Sequence, residues 1–452
     1  MSFRSQAPHS VRGRRWRRPT RTGRKEICVS IGSPARLGER PAPVPHHIPV
    51  RTRLAVGAGR FAATVSRRFG TGEGGVIGGR VAQVLDPGAL RRLGRDRTVV
   101  LVTGTNGKTT TALMLSRILE TLGTVAANSD GANMPDGVLA ALTARPDAPL
   151  AVLEVDEHYV PAVAEQVRPA CLVVLNLSRD QLDRIGEVRS IERALRAAVS
   201  RLPDTAVIAN CDDPLVTSVG LASAKPAWVA AGQNWSADAV ACARCGQAVR
   251  HDGPDWHCAC GLTRPAPEWC LDGDTLEGAG IGRFPLGLRL PGRANAANAA
   301  MAVAAVARLG VSPEVAISRL RSIDDVAGRY RRAWVDGRAV RVLLAKNPAG
   351  WRETLPLLDE RCPVVIAVNS READGRDTSW LWDVPFEQLR GRKVVAAGER
   401  ATDLAVRLTY AEVPHVISPD PIAAIAGLGP EPVELVANYT AFRAVRLRLG
   451  DD

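Results

Sequence analysis

"VVLVTGTNGKTTTALML", Val99 to Leu115, sets the reading of the whole chain. It opens on an apolar, β-branched run, the pattern of a strand buried on both faces of a sheet. Gly104-Thr105-Asn106-Gly107-Lys108-Thr109-Thr110 interrupts the run, and a segment of helix-forming character follows, closed by Gly123. A glycine-bearing turn between strand and helix lets backbone N–H groups approach a phosphate, which the helix dipole also favours. Lys108 can reach the β- and γ-phosphates of a nucleotide, and the Thr109 hydroxyl can ligate Mg²⁺. The common spacing G-x-x-x-x-G-K-[ST] needs glycine at position 102, where this chain has Val102. The loop is therefore a shortened form, G-x-x-G-K-T-T. Its Gly-Lys-Thr-Thr core separates it from an ordinary strand-to-helix turn.

Strands and helices go on alternating downstream. "APLAVLEVDE" (Ala148–Glu157), "PACLVVLNL" and "DTAVIANCDDP" each read as strands of a mostly parallel, doubly wound sheet. In such a sheet ligands sit beyond the carboxyl ends of the strands. Glu154, Asp156 and Glu157 stand at one such end. Glu154, between Leu153 and Val155, reads as a Mg²⁺ ligand in preference to a solvated loop acid. "NLSRDQLDR" (Asn176–Arg184) ends another strand, to close the site from the side or to cap a helix at Ser178. Upstream, Thr52 to Gly70 reads as an amphipathic helix, followed by a Gly-rich loop and a further helix.

Composition bounds the rest. The 452 residues give room for two or three domains. They are 46% hydrophobic but only 4% aromatic, so the core must rely on Ala, Val and Leu. The net charge of +12 is concentrated in "RGRRWRRPTRTGRK" (Arg12–Lys25), which holds no acid. That arm reads as a flexible tail or as sequence upstream of the true start; contact with nucleic acid or an anionic membrane is the other reading. Five lysines beside 54 arginines suggest GC-rich coding more than a nucleic-acid role. No apolar run approaches the roughly 18 residues that span a bilayer. No apolar segment follows the charged N-terminus as in a secretory signal. The expectation is a cytoplasmic protein.

"CARCGQAVRHDGPDWHCACG" (Cys242–Gly261) breaks the alternation and reads as part of an insertion spanning 236–275. Cys242-x-x-Cys245 and Cys258-x-Cys260 can bring two thiolate turns together across a hairpin, giving tetrahedral S₄ ligation. Zinc is the expected metal, in a structural role because no ligand position is open. A disulfide pair is the alternative, disfavoured in a reducing compartment. Cys171, Cys211 and Cys362, in or beside strand-like segments, read as core residues. "NAANAAMAVAAVARLG" (Asn295–Gly310) is an Ala-rich helix, and "IDDVAGR" (Ile323–Arg329) looks like a hinge. A second α/β unit follows, with strands in "RAVRVLLAKNP", "CPVVIAVNS", "RKVVAAGE" and "EPVELVANYT". The organisation is thus a basic extension over 1–50, a central nucleotide-binding domain over 51–325 and a C-terminal domain over 326–452.

"GTNGKTT", "LEVDE", "NLSRDQLDR" and "NAANAAMA" occur in the order in which similar motifs occur in the Mur ligases, which join amino acids to cell-wall precursors. The cysteine insertion, "LLAKNPAG" (343–350) and "ADGRDTSWLWD" (373–383) resemble one branch, the MurT family, the Mur-ligase-like subunit of lipid II isoglutaminyl synthase. The resemblance runs from about Thr52 to the C-terminus. It implies a Mur-ligase-like P-loop ATPase domain with a zinc-ribbon insertion, plus a C-terminal Rossmann-like α/β domain. It implies ATP, Mg²⁺ and Zn²⁺ as cofactors, and a GatD-type glutaminase as partner. The reaction implied is amidation of the D-glutamate α-carboxylate of lipid II, through an acyl phosphate, at the cytoplasmic face of the membrane. Asn295 would approach the adenine, and Arg329, Lys346 and Asn347 would meet the nucleotide from the C-terminal side. Asp374, three residues before Asp377, would activate the incoming ammonia, against the reading of an Asx-type turn. Ser370 and Pro385 depart from the family pattern, which weakens roles for the flanking acids only.

Two rivals remain. A folylpolyglutamate-type ligase of the same fold would accept an amino acid, and the zinc-type insertion and "ADGRDTSW" argue against it. A zinc-ribbon nucleic-acid-binding ATPase would use the basic arm, but few stacking aromatics interleave its charges, so no nucleic-acid partner is expected. No glutaminase signature is visible, since His415 is the only late histidine and no cysteine sits in an elbow-like glycine context.

Overall fold

The computed structural model describes residues 49–68, 75–95, 97–128, 131–178, 185–232, 240–324 and 330–449. The basic arm, all of "RDQLDR" and Arg329 lie outside them. Three helices come first, α1 (Val50–Arg68), α2 (Gly75–Leu85) and α3 (Ala89–Gly94). There follow β1 (Thr98–Thr103), α4 (Lys108–Leu119), β2 (Val125–Ala127), α5 (Pro135–Ala144), β3 (Leu150–Glu154), α6 (Val160–Val167) and β4 (Cys171–Val174). Then come α7 (Ile185–Val199), β5 (Ala206–Asn210), α8 (Pro214–Gly220) and β6 (Pro226–Ala230).

β1 is central in this sheet, paired in parallel with β3 on one side and β4 on the other. Its alternate residues serve two cores. Val100 and Val102 pack with α4 and the Ala-rich helix, whereas Val99 and Leu101 pack with α5, α6 and α8. That is why the run is apolar at every position instead of every second one.

A two-stranded hairpin, β7 (Arg250–Asp252) and β8 (Asp255–His257), carries the cysteine ribbon. The chain then rejoins the main sheet as β9 (Trp269–Asp272), β10 (Thr275–Gly278) and β11 (Gly282–Pro285), giving the order β11-β10-β9-β6-β5-β4-β1-β3-β2. The stretch read as an insertion therefore overlaps the main sheet: β9 lies inside it and pairs with β6. α9 (Arg293–Arg308) and α10 (Pro313–Leu320) complete the unit.

The second sheet begins with an antiparallel pair, β12 (Tyr330–Val335) and β13 (Arg338–Leu344). α11 (Pro348–Thr354), β14 (Val364–Ala367), β15 (Val394–Ala397), α12 (Ala401–Tyr410), β16 (His415–Ile417), α13 (Pro421–Ala426), β17 (Val433–Ala437) and α14 (Tyr439–Arg448) follow. Its order is β12-β13-β17-β14-β15-β16, parallel from β13 onward. Val364 and Ile366 face one core, and Val365 and Ala367 the other. Among the described residues no helix is long and apolar enough to cross a membrane.

Candidate active site

The loop 104–107 leaves β1 and enters α4 with Gly107 as its N-cap, at φ +87°. Only glycine adopts this conformation at no steric cost. A Cβ there would also stand 2.4 Å from Asn298 Oδ1 on α9. The first turn of α4 thus presents its orphan N–H groups at the carboxyl edge of the sheet.

The loop is held by the segment after β4. Thr105 N donates to Asn176 O at 3.0 Å, and Asn106 N to Asn176 Oδ1 at 2.9 Å. Asn176 Nδ2 donates back to Asn106 O at 3.0 Å. Thr105 Oγ1 donates to Ser178 O and accepts from Ser178 N, at 3.0 and 2.9 Å. "NLS" therefore braces the loop.

Lys108 is folded back and nearly buried. Its Nζ donates to Gly104 O at 2.5 Å and to Glu157 Oε2 at 3.1 Å. Glu157, one of three acids at this strand end and without a role legible in the sequence, is thus the partner of Lys108. Glu154 ends β3 opposite Val102 of β1, buried beside the start of the loop. Its backbone N donates to Asn128 Oδ1 at 2.8 Å, while Asn128 Nδ2 donates to Glu154 O at 2.7 Å, which fixes the strand end. Thr109 is half-buried on the first turn of α4, and Thr110 is buried. The donor chemistry, a carboxylate and a hydroxyl at one sheet edge, suits Mg²⁺.

A cavity of about 230 Å³ opens between the two sheets. Asn106, Gly107 and Thr110 line it from the loop, Asn295 and Asn298 from α9, and Lys346 and Glu353 from the C-terminal unit. Asn295 Nδ2 donates to Pro291 O at 2.7 Å. Asn347 is fully buried and caps α11, accepting from Gly350 N at 2.9 Å. The structure thus brings the predicted Asn295, Lys346 and Asn347 to the mouth of the phosphate loop.

Asp374 is not among the residues lining this cavity. It ends a short 3₁₀ turn, and its carboxylate accepts from Thr440 N at 2.9 Å, from the Thr440 hydroxyl and from Arg371 N. Asn369 Nδ2 donates to the same hydroxyl at 3.1 Å. Asp374 therefore caps the N-terminus of α14, while the bond from Arg371 N belongs to a capping box on its own 3₁₀ turn, not to an Asx-type turn.

The four ribbon cysteines carry no disulfide. Sγ–Sγ distances are 3.6 Å for Cys242–Cys260 and 3.4 Å for Cys245–Cys258, and all four sulfurs lie within 4.8 Å of one another. Tetrahedral Zn–S bonds of about 2.3 Å place sulfurs about 3.8 Å apart, so the set fits one zinc ion. A backbone bond from Leu262 holds the Cys260 thiol down to about 7, and burial pushes Cys242 up. Trp256, buried beside the cluster, donates to Cys211 O at 3.0 Å and ties the ribbon to the end of β5. Cys171 and Cys211 are core residues, whereas Cys362 is only half-buried before β14, a departure from its reading as core.

Comparison with known proteins places this geometry. Residues 102–306 match the Mur ligase middle domain, and residues 344–442 match the MurT ligase C-terminal domain. The chain is 29% identical to the MurT subunit of lipid II isoglutaminyl synthase (glutamine-hydrolyzing) of Staphylococcus aureus (strain N315), over 80% of this chain and 89% of that one. It is also 29% identical to the corresponding MurT subunit of Streptococcus pneumoniae (strain ATCC BAA-255 / R6), over 81% and 88%. The chain belongs to the MurT family of the Mur ligases. It is therefore a ligase, and its α/β fold is Mur-ligase-like. MurF from Acinetobacter baumannii shares that fold with a TM-score of 0.60 at 19% identity, over 80% of this chain and 78% of that one. The middle-domain match spans the phosphate loop, Glu154, the ribbon and Asn295, and the MurT-specific match spans Lys346, Asn347, Asp374 and Thr440.

Proposed function

We propose that this chain amidates the α-carboxylate of the D-glutamate in the lipid II stem peptide, giving D-isoglutamine. The observation that carries the reading is the match to the MurT C-terminal domain over 344–442, which separates the chain from amino-acid ligases of the same fold. ATP phosphorylates the carboxylate, breaking the bond between the β–γ bridging oxygen and the γ-phosphorus and forming an acyl phosphate with release of ADP. Ammonia then attacks the acyl carbon, phosphate leaves, and the nitrogen loses a proton. Lys108, released from Glu157, neutralises charge on the transferred phosphoryl group. Thr109 and Glu154 would hold Mg²⁺, which when bound supplies positive charge against the phosphate oxygens. The first-turn amides of α4 cradle the phosphates. Asn295 contacts the adenine, and Arg329, Lys346 and Asn347 reach the nucleotide from the C-terminal unit. Asp374 orients or deprotonates the ammonia. The Cys242, Cys245, Cys258 and Cys260 set holds structural zinc.

Ammonia comes from a separate GatD-type glutaminase, since this sequence carries no glutaminase signature. The enzyme works in the cytoplasm, at the membrane face where lipid II is exposed. The decisive experiment incubates the purified chain with ATP, Mg²⁺ and lipid II, first with ammonium and then with glutamine plus the glutaminase. Amidated product with ammonium alone, and with glutamine only when the partner is present, is expected. No product under either condition would refute the assignment.

A further inference from the structure

α1 turns an apolar stripe outward. Its inner face buries Thr52, Ala55, Val56 and Ser66. On the opposite face Val50, Leu54, Phe61 and Val65 are exposed, Leu54 by 69% and Phe61 by 72%. Steps of four, seven and four residues keep these side chains on one side of a 3.6-residue helix. A row of large apolar residues in water marks a surface that meets something else.

The charge around the stripe says what. α1 contains five arginines and no acid, and α2 contains one arginine and no acid. Arg60 is committed to Thr143 O and Ala144 O of α5. Arg53 flanks the stripe, and Arg68 lies one turn beyond Val65. The acid-free Arg12–Lys25 segment lies upstream in the sequence. A second copy docking on this face would set arginine against arginine. A nucleic acid would match the charge but leave the aliphatic stripe unused. An anionic bilayer matches both, with apolar side chains among the upper acyl chains and guanidinium groups among the headgroups.

We propose that the outer face of α1 is a membrane-contact surface for anionic lipid. This deepens the amidation reading, because it names the surface that would hold the ligase beside a lipid-linked substrate. Its test uses neither ATP nor lipid II, so the two can fail separately.

The full chain is sedimented with vesicles of phosphatidylcholine alone and with vesicles containing about 40% phosphatidylglycerol, at roughly 0.1 and 0.5 M salt. Binding to the anionic vesicles is expected, weakened but not abolished by salt. The Leu54→Glu/Phe61→Glu double variant should bind about tenfold more weakly at both salt concentrations. Trp334→Glu, which changes an equally exposed aromatic on β12, should bind as the parent does. Far-UV circular dichroism checks the fold, and Phe61→Ser serves if the double variant is misfolded. Parent-like binding by the Leu54/Phe61 variant overturns the proposal, because the basic arm alone would then suffice. Equal binding to neutral vesicles overturns it too. So does a dimer that the variant splits, because a second copy would then be the occupant.

Discussion

Asn106 and Asn347, 241 residues apart, exchange side-chain hydrogen bonds of 3.3 and 3.2 Å. One sits in the loop before α4 and the other caps α11, so the pair joins the two sheets' halves at the mouth of the cavity between them. Asn106→Ala removes the bridge alone. Asn347→Ala also removes the cap to Gly350 N. Asn106→Ala should lower kcat/KM for ATP by about 3- to 10-fold, the value of one or two ordinary hydrogen bonds, with little change in Tm. Asn347→Ala should do the same and cost about 1 kcal/mol of stability besides. Steady-state kinetics and thermal melts separate the two; equal Tm losses would contradict the distinction.

Lys108 and Glu157 form a nearly buried ion pair, their side chains 5% and 8% exposed. Glu157 holds the cation that the proposed phosphate would claim. Glu157→Gln removes the carboxylate that faces Lys108, and should destabilise the chain without nucleotide by about 3 kcal/mol. Mg·ATP supplies the missing anion, so the rise in Tm on adding it should exceed that of the parent. An identical rise in both proteins would show that Glu157 does not compete. Lys108→Ala should cost on the order of 100-fold or more in amidation.

The phosphate loop was legible because its signal is local. A fully apolar strand, two glycines and one lysine lie within a dozen residues, and each answers to a backbone or charge requirement. Two polar groups around it were not. Glu157, which pairs with Lys108, and Asn128, which fixes the end of β3, come from other segments, and a loop asparagine has no periodicity to betray its partner. β12 was also missed. "YRRAWV" is an edge strand whose arginines break the apolar pattern that marks the buried parallel strands. The clustering of the four cysteines was readable from spacing, but the limits of the ribbon were not, because β9 re-enters the main sheet only through pairing with β6.

The ribbon is bonded to the wall of the cavity between the sheets, which gives loss of the proposed zinc a consequence at a distance. Trp256 holds Cys211 O, and Arg264 Nε donates to Asp212 Oδ1 at 2.8 Å. Asp212 in turn accepts from Gly232 N at 2.5 Å. Asn210 and Gly232, which flank these contacts, line the cavity. Cys258→Ser should therefore lose its bound zinc, expose Trp256 and weaken ATP binding about 3- to 10-fold. Elemental analysis, tryptophan emission and calorimetry read the three effects. Zinc loss with unchanged nucleotide affinity would make the ribbon energetically independent of the site.

Asp374 is where a structural and a chemical role have to be told apart. Its carboxylate caps α14 through Thr440 and accepts from Arg371 N, so any substitution touches stability. Asn keeps the shape and one acceptor oxygen. The Thr440 hydroxyl can then turn to accept from the new amide. Asp374→Asn should thus cost only about 1 kcal/mol of stability. On the proposed role in activating ammonia, however, its loss should reduce amidation by on the order of 100-fold or more. ATP-dependent acyl phosphate formation, trapped with hydroxylamine, should be far less affected, because that nucleophile is already uncharged at neutral pH. Thr440→Val is the control: it removes a bond to Asp374 and leaves the carboxylate in place. A matching loss of activity in both variants would assign Asp374 to the cap alone. A deep loss confined to Asp374→Asn, rescued by the weakly basic nucleophile, would place the carboxylate at the nitrogen.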